Sequence, residues 1–279
     1  MKTINFIYST ENDFERLIKT EGLSPKKEYL IRIHTCIHNK YNIMPLVKTI
    51  LQYLPASKII GSSTSGIILG GELKTDCCMI SVTEFKNACI RTCIVSLSDA
   101  LGADIRGITL ADRIIDSVIT SDSVFMLTFF AHSFIKIDSF IERINEKAGK
   151  LQLIGGIANS PELPFAGVEI SSFVFDNENV SDNSLVVAII DSENFHIYGD
   201  LIYVTEPVGG VHTITDADGM IIRAIDGENA VDWYQKQLDI NFDDDTGYDI
   251  TVLFPLVRAD YGDIPWALTY SPQNEKKRV

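Results

Sequence analysis

The sequence predicts a mixed α/β (α+β) fold: two pseudo-repeated strand-helix-strand-Gly-loop-β-hairpin units, followed by a smaller C-terminal α/β segment. Three observations carry that expectation. Apolar runs of strand length alternate with segments of 3.6-residue periodicity. Sliding the chain against itself by 94 positions gives a match without gaps, in which "LIRIHTCIH" (30–38) falls on "VFMLTFFAH" (124–132) and "KIIGSSTSG" (58–66) on "QLIGGIANS" (152–160). Both copies keep one order of apolar run, helix, apolar run and Gly-loop, and a shared order at a fixed offset argues for duplicated architecture.

The first helix is expected near "ENDFERLIKT", opened by Thr10 as N-cap with Asp13 in its first turn. In each copy a strand then enters a loop with an equivalent histidine, His38 in the first and His132 in the second. An amphipathic helix follows, marked by Leu46, Val47, Ile50, Leu51 and Leu54 in copy one and by Phe140, Ile141 and Ile144 in copy two. Pro55 and Gly149 end these helices at matching positions. The second strand runs into the Gly-loop, and two further strand-like runs come after it: "CCMISVTEF" and "CIRTCIVSL", then "EISSFVFDN" and "SLVVAIIDS". The helix "LADRIIDSVITS" joins the copies, which span about 24–98 and 118–192 within a region 1–205. Residues 206–279 form the remaining segment. Two short strands turn at Asp218-Gly219, a helix starts after Asp226-Gly227, "FDDDTGYD" is an acidic loop, and "ITVLFPLVRA" is a strand stopped or bent at Pro255. This segment has few elements for a core of its own, as expected of one region of a longer protein.

Charge and cysteine usage narrow the setting. The 279 residues carry 24 Lys and Arg against 38 Asp and Glu, a net charge of −14. Such a surface repels phosphate backbones and anionic lipid, which argues against nucleic acid and membrane surfaces as partners. Polar residues interrupt every apolar run of "MKTINFIYSTEND", and no stretch approaches the roughly 20 apolar residues of a membrane helix. Cys36, Cys77, Cys78, Cys89 and Cys93 form no C-x-x-C pair and read as reduced thiols of a cytoplasmic protein.

The loops carry parts of several chemical patterns. Gly61-x4-Gly66 begins a phosphate-binding pattern, but Ile67 and Ile68 stand where Lys and Ser or Thr are required. Ser63 is followed by Thr64 and Ser65, so the glycine that a nucleophile elbow needs is missing. General binding fits better. Glycine at a strand end lets backbone N–H groups face a ligand, hydroxyls donate and accept, and two such loops brought together make one pocket for a small polar molecule. The same residues are also ordinary turn formers. His38 and His132 stand either as metal or haem ligands facing each other or as partners of nearby carbonyls. His34 reads as a strand residue, His196 and His212 have no partner pattern, and the carboxylates 243–245 lack the spacing of a calcium loop.

Three segments in order resemble the FIST domain, a sensory module of prokaryotic signalling proteins and of some eukaryotic F-box proteins. "LPASKIIGSSTSGIILGGE" is similar to the "GCSTAGE"-type segment of the family's N-terminal half, and "LQLIGGIANS" to its second Gly-Gly-x-Ala segment. "PVGGVHTITDADGMIIRAIDGENAVDWYQKQL" resembles the start of the C-terminal half. "GDLIYVTE" departs from the family's Gln-Gly-Trp character, and the C-terminal half stops early. The resemblance implies a cytoplasmic, bacterial input domain without catalytic activity, needing no cofactor, that binds a small metabolite such as an amino acid. Its partner would be an output module: a histidine kinase, a chemotaxis transducer or a diguanylate cyclase. Carried onto matching positions, the ligand-binding residues are Ser62, Ser63, Thr64 and Gly66 from the first loop, with Gly155, Gly156 and Asn159 from the second. Arg258 is added because a guanidinium clamps a carboxylate. Two alternatives stay open: a haem-based nitric oxide sensor using His38 and His132, and a small-substrate enzyme acting through the Ser-rich loop.

Overall fold

Before the first helix the chain already forms a strand, β1 (Lys2–Tyr8), in which Ile4 and Phe6 pack on a core while Thr3 and Asn5 alternate with them. The computed structural model describes residues 1–37, 39–96, 103–131, 137–159, 172–193, 195, 197–198, 209–218, 221–241, 254, 256–258 and 264–266. After β1 come α1 (Glu11–Glu21), β2 (Leu30–Thr35), α2 (Ile43–Tyr53) and β3 (Lys58–Ser63). A short hairpin, β4 (Ile67–Leu69) and β5 (Glu72–Lys74), follows the first Gly-loop, and β6 (Cys78–Glu84) closes the series. The second series is β7 (Cys89–Ser96), α3 (Ala103–Val118), β8 (Ser123–Phe130), α4 (Ile137–Lys147), β9 (Gln152–Ile157), β10 (Val174–Asp176), β11 (Val180–Ser181) and β12 (Ser184–Asp191). The remainder holds β13 (Ile214–Asp218), β14 (Ile221–Ile225), β15 (Glu228–Asn229), α5 (Ala230–Leu238), β16 (Leu256–Arg258) and β17 (Ile264–Trp266). The chain divides into two compact units, 1–197 and 198–279.

The expected mixed α/β class holds, and α4 and β9 lie 94 residues beyond α2 and β3 at both ends. Thr10 caps α1 as expected, its hydroxyl accepting from the Asp13 N–H, and Gly22 closes the helix at positive φ. The strands after each Gly-loop behave differently from expectation. β6 and β7 do not form a hairpin with each other. β6 inserts between β1 and β2 in the six-stranded sheet β1-β6-β2-β3-β10-β11, whereas β7 pairs with β12 in the sheet β7-β12-β8-β9. The repeat frame moves accordingly. β1-β6-β2-β3 in one sheet corresponds to β7-β12-β8-β9 in the other, each with two helices, so β7 opens the second copy rather than closing the first. The structural copies therefore span 2–84 and 89–191 rather than about 24–98 and 118–192. Sequence periodicity identifies a buried strand but not its neighbour, and β10–β11 is an insertion that the fixed offset absorbed as a false match.

Unit 1 is layered as helices, sheet, sheet, helices. Phe14 of α1 and Ile43, Val47 and Ile50 of α2 pack on Ile31, Ile33, Ile59 and Ile80 of the first sheet. Leu110 and Ile114 of α3 and Phe140 and Ile144 of α4 pack on Met126, Leu185, Val187 and Ile189 of the second. Between the sheets lies a third cluster without helical members, including Leu30, Ile60 and Val174 from one and Leu127, Val186, Ala188 and Ile190 from the other. β12 is thus buried on both faces, which is why "SLVVAII" reads as a continuous apolar run. In unit 2, Ile222, Ile225, Ala230, Val231, Trp233 and Tyr234 make a small core of their own.

Candidate functional site

Each sheet contains one parallel pair, β2 with β3 and β8 with β9, joined by a right-sized helical crossover. The two Gly-loops leave from the carboxyl ends of these pairs, the place where open α/β sheets receive ligands. They meet: the Asn159 N–H donates to the Ser63 carbonyl at 3.2 Å. The two turns expected to converge are thus in contact.

The roles within the loops are more divided than expected. Ser63 staples the structure, its N–H donating to the Phe173 carbonyl at 2.9 Å and its Oγ accepting from the Phe173 N–H at 2.9 Å. The Thr64 N–H donates to the Thr35 carbonyl at 2.9 Å, and Thr64 Oγ1 donates to the Gly66 carbonyl at 3.0 Å. The Gly66 N–H turns back to Thr64 Oγ1. The amides of Ser63, Thr64, Gly66 and Asn159 are therefore spent inside the protein, and the expected cradle of main-chain donors does not form from them.

The glycines also separate. A Cβ on Gly155 would sit 2.1 Å from the Thr128 carbonyl oxygen, and one on Gly61 would sit 2.2 Å from the Phe175 ring, so both are glycines for close strand packing. Gly156 has nothing within 4 Å of its Cβ position. It pairs with Phe129, and Ile154 with Leu127, so Gly156 and Ile154 share the face of the second sheet that looks toward the first. Ile154 is 45% exposed and Asn159 is exposed. This stretch of β9, the edge strand of its sheet, is therefore open to solvent.

Two residues that sequence reasoning left aside lie on the side of β2 that faces the second sheet. His34 Nδ1 lies 3.1 Å from Ser62 Oγ, and its ring meets the Phe129 ring edge-on at 5.0 Å between centroids. Burial first, and then the positive charge of Arg32, push the His34 pKa down to about 4, so the imidazole is neutral at pH 7. Arg32 sits two positions earlier on β2. The available signal was the alternation Arg32, His34 against Ile31, Ile33, which sets a polar face opposite an apolar one.

The remaining expected residues lie in the second unit or outside the described residues. Arg258 is the last residue of β16 in unit 2, and its side chain lies outside the described residues, as do His38, His132 and the carboxylates 243–245. Among the described residues no cluster of three or more His, Cys, Asp or Glu is placed to hold a metal ion. No helix among them is long and apolar enough to cross a membrane. His212, without a partner in the sequence pattern, lies 2.6 Å from Asp226 Oδ2 and edge-on to Trp233 in unit 2. A shallow groove between β1 and α1, bordered by Phe6, Asp13, Arg16 and Leu17, contains none of the loop residues.

Together these features define a class: a duplicated, double-sheet α/β domain whose two Gly-rich turns meet at the carboxyl ends of its parallel strands. The family model described as FIST N domain matches residues 34–228, a span that holds both turns. The chain belongs to the FIST family, whose general role is sensing in signal transduction. No curated protein matches the chain.

Proposed function

We propose that this chain is the input domain of a bacterial, cytoplasmic signalling pathway and binds a small polar metabolite, amino acids included, at the junction of its two Gly-loops. The single observation that carries this reading is the Asn159–Ser63 hydrogen bond, which joins the turns of the two copies beside the open face of β9. Neutral His34 and the Ser62 hydroxyl supply polarity, Ile154 and Phe129 supply apolar wall, and such mixtures suit small ligands. A ligand bridging the turns would favour one packing of the copies over another and pass that preference to an output partner. Residues 206–279 would serve as the start of the family's C-terminal region. The chemistry belongs to the partner, since Ser63 Oγ is already engaged by Phe173 and no elbow glycine follows it.

The test is a thermal-shift survey of the full chain across a broad panel of amino acids, organic acids, sugars and nucleosides. At least one compound should raise the melting temperature in a concentration-dependent way, as mass action requires. A panel in which nothing shifts it would remove the sensor reading. Haemin is included as a control for the alternative: a Soret band that survives gel filtration would favour the haem-based sensor instead.

A further inference from the structure

Among the described residues, Arg32 is a cation without a counter-ion. On β2, Leu30 belongs to the cluster between the sheets, whereas Ile31 and Ile33 belong to the cluster under the helices. Alternation therefore turns Arg32 and His34 toward the second sheet, and the contact of His34 with Phe129 agrees. Arg32 is half-buried, and desolvation lowers its pKa below the ordinary guanidinium value. It has no hydrogen bond or ion pair among the described residues. By contrast, Arg91 binds Asp191 at 2.6 Å and Arg143 binds Asp112 at 2.6 Å. On the flanking strands β3 and β6 the residues facing the same way are Lys58, Ile60, Ser62, Met79, Ser81 and Thr83, with no carboxylate among them. In a chain with 14 more acidic than basic residues, an arginine held away from every described carboxylate is a placed feature. Removing a guanidinium from water without a partner is unfavourable, and a ligand that completes the pair reverses that cost.

We propose that Arg32 anchors the carboxylate of a small organic acid at the polar face of β2, with Ser62 and His34 as neighbouring polar contacts. This rests on the sensor reading and names its ligand class. The planar fork of Arg32 suits bidentate capture of a carboxylate. The six facing positions named above offer no anion for an ammonium group, so simple carboxylic acids are expected to bind better than amino acids of the same size.

The experiment is calorimetric titration of the full chain with acetate, lactate, pyruvate, succinate, glycine, alanine and inorganic phosphate, and with acetamide and lactamide as uncharged counterparts. It is run on wild type, Arg32→Gln and Arg32→Lys. One of the organic acids should bind, its amide should not, Arg32→Gln should weaken binding about ten- to a hundredfold, and Arg32→Lys should fall between. The ligand-free melting temperature of Arg32→Gln should equal or exceed that of wild type, because an unpaired cation is removed; a purely structural arginine would give a fall. Glycine or alanine binding in an Arg32-dependent way supports the anchor and assigns the ammonium to main-chain carbonyls. Equal affinity of wild type and Arg32→Gln for the acid overturns the anchor and leaves the sensor reading standing, as does preference for uncharged compounds. Arg32-dependent binding of phosphate alone overturns the carboxylate assignment. If Arg32→Gln does not fold, Arg32→Lys decides, and undiminished affinity in it overturns the bidentate anchor. Silence across this series and the wider panel would instead remove the sensor reading itself.

Discussion

Gly155 and Gly156 are adjacent in the chain and opposite in consequence. Gly155 lets β9 press on the Thr128 carbonyl, so Gly155→Ala should cost about 1–3 kcal/mol through overpacking, read as a lower denaturation midpoint. Gly156 faces open space, so Gly156→Leu should leave that midpoint nearly unchanged and abolish ligand-induced thermal shifts by filling the junction. Equal destabilisation by both would show that Gly156 is a packing glycine too. The sequence offered no way to separate them, because what each Cβ would meet depends on the neighbouring strand. His34 makes a prediction in pH. Its ordinary pKa of 6.5 drops to about 4 in the fold, so the unfolded chain takes up a proton that the native state refuses. Stability from this residue is complete above pH 6.5 and is lost as pH falls toward 4, on the order of 3 kcal/mol in all. Urea titrations at pH 7 and pH 4.5 should therefore show a smaller loss for His34→Gln than for wild type. An identical pH slope in the two proteins would contradict the buried, neutral imidazole.

Elements were legible where their signal is local. The 3.6-residue period found α2 and α4, the Thr10–Asp13 spacing found the start of α1, and the two strands expected either side of residues 218–219 are β13, ending at Asp218, and β14, starting at Ile221. Thr10→Ala should accordingly remove about 1 kcal/mol from unfolding free energy, measured by urea titration. β1 escaped notice because its alternation was read only as interruption of an apolar run. The β4–β5 hairpin hid in a glycine pair: Gly70 and Gly71 both adopt positive φ, as a two-residue hairpin turn requires. Strand partnership was the larger gap. β6 and β7 are alike in sequence character, yet β6 enters the interior of one sheet between β1 and β2, whereas β7 is the edge strand of the other. The layer between the sheets draws on both copies, which gives a further prediction. A fragment of residues 1–86 should expose Leu30 and Ile60 and lack cooperative unfolding by circular dichroism, whereas residues 1–197 should melt in one transition. Cooperative melting of the short fragment would show that the copies fold independently.

At the scale of the whole molecule, the family and the meeting of the Gly-loops were readable from three short segments in order, and the match over 34–228 bears out the family. The contributors to the junction were readable only in part. Ser62 and Asn159 lie there with Gly156, Ser63 and Thr64 hold the turns together, and the Arg258 side chain lies outside the described residues. Arg32 and His34 were missed because a strand residue earns notice only when its facing neighbours are known. The most direct test of a ligand site at this junction is amide chemical-shift mapping of the full, isotope-labelled chain titrated with whichever compound raises its melting temperature. Shifts should concentrate at residues 32–35, 62–66 and 154–159. Shifts concentrated instead at Phe6, Asp13 and Arg16 along the groove between β1 and α1, with the Gly-loops unmoved, would contradict it.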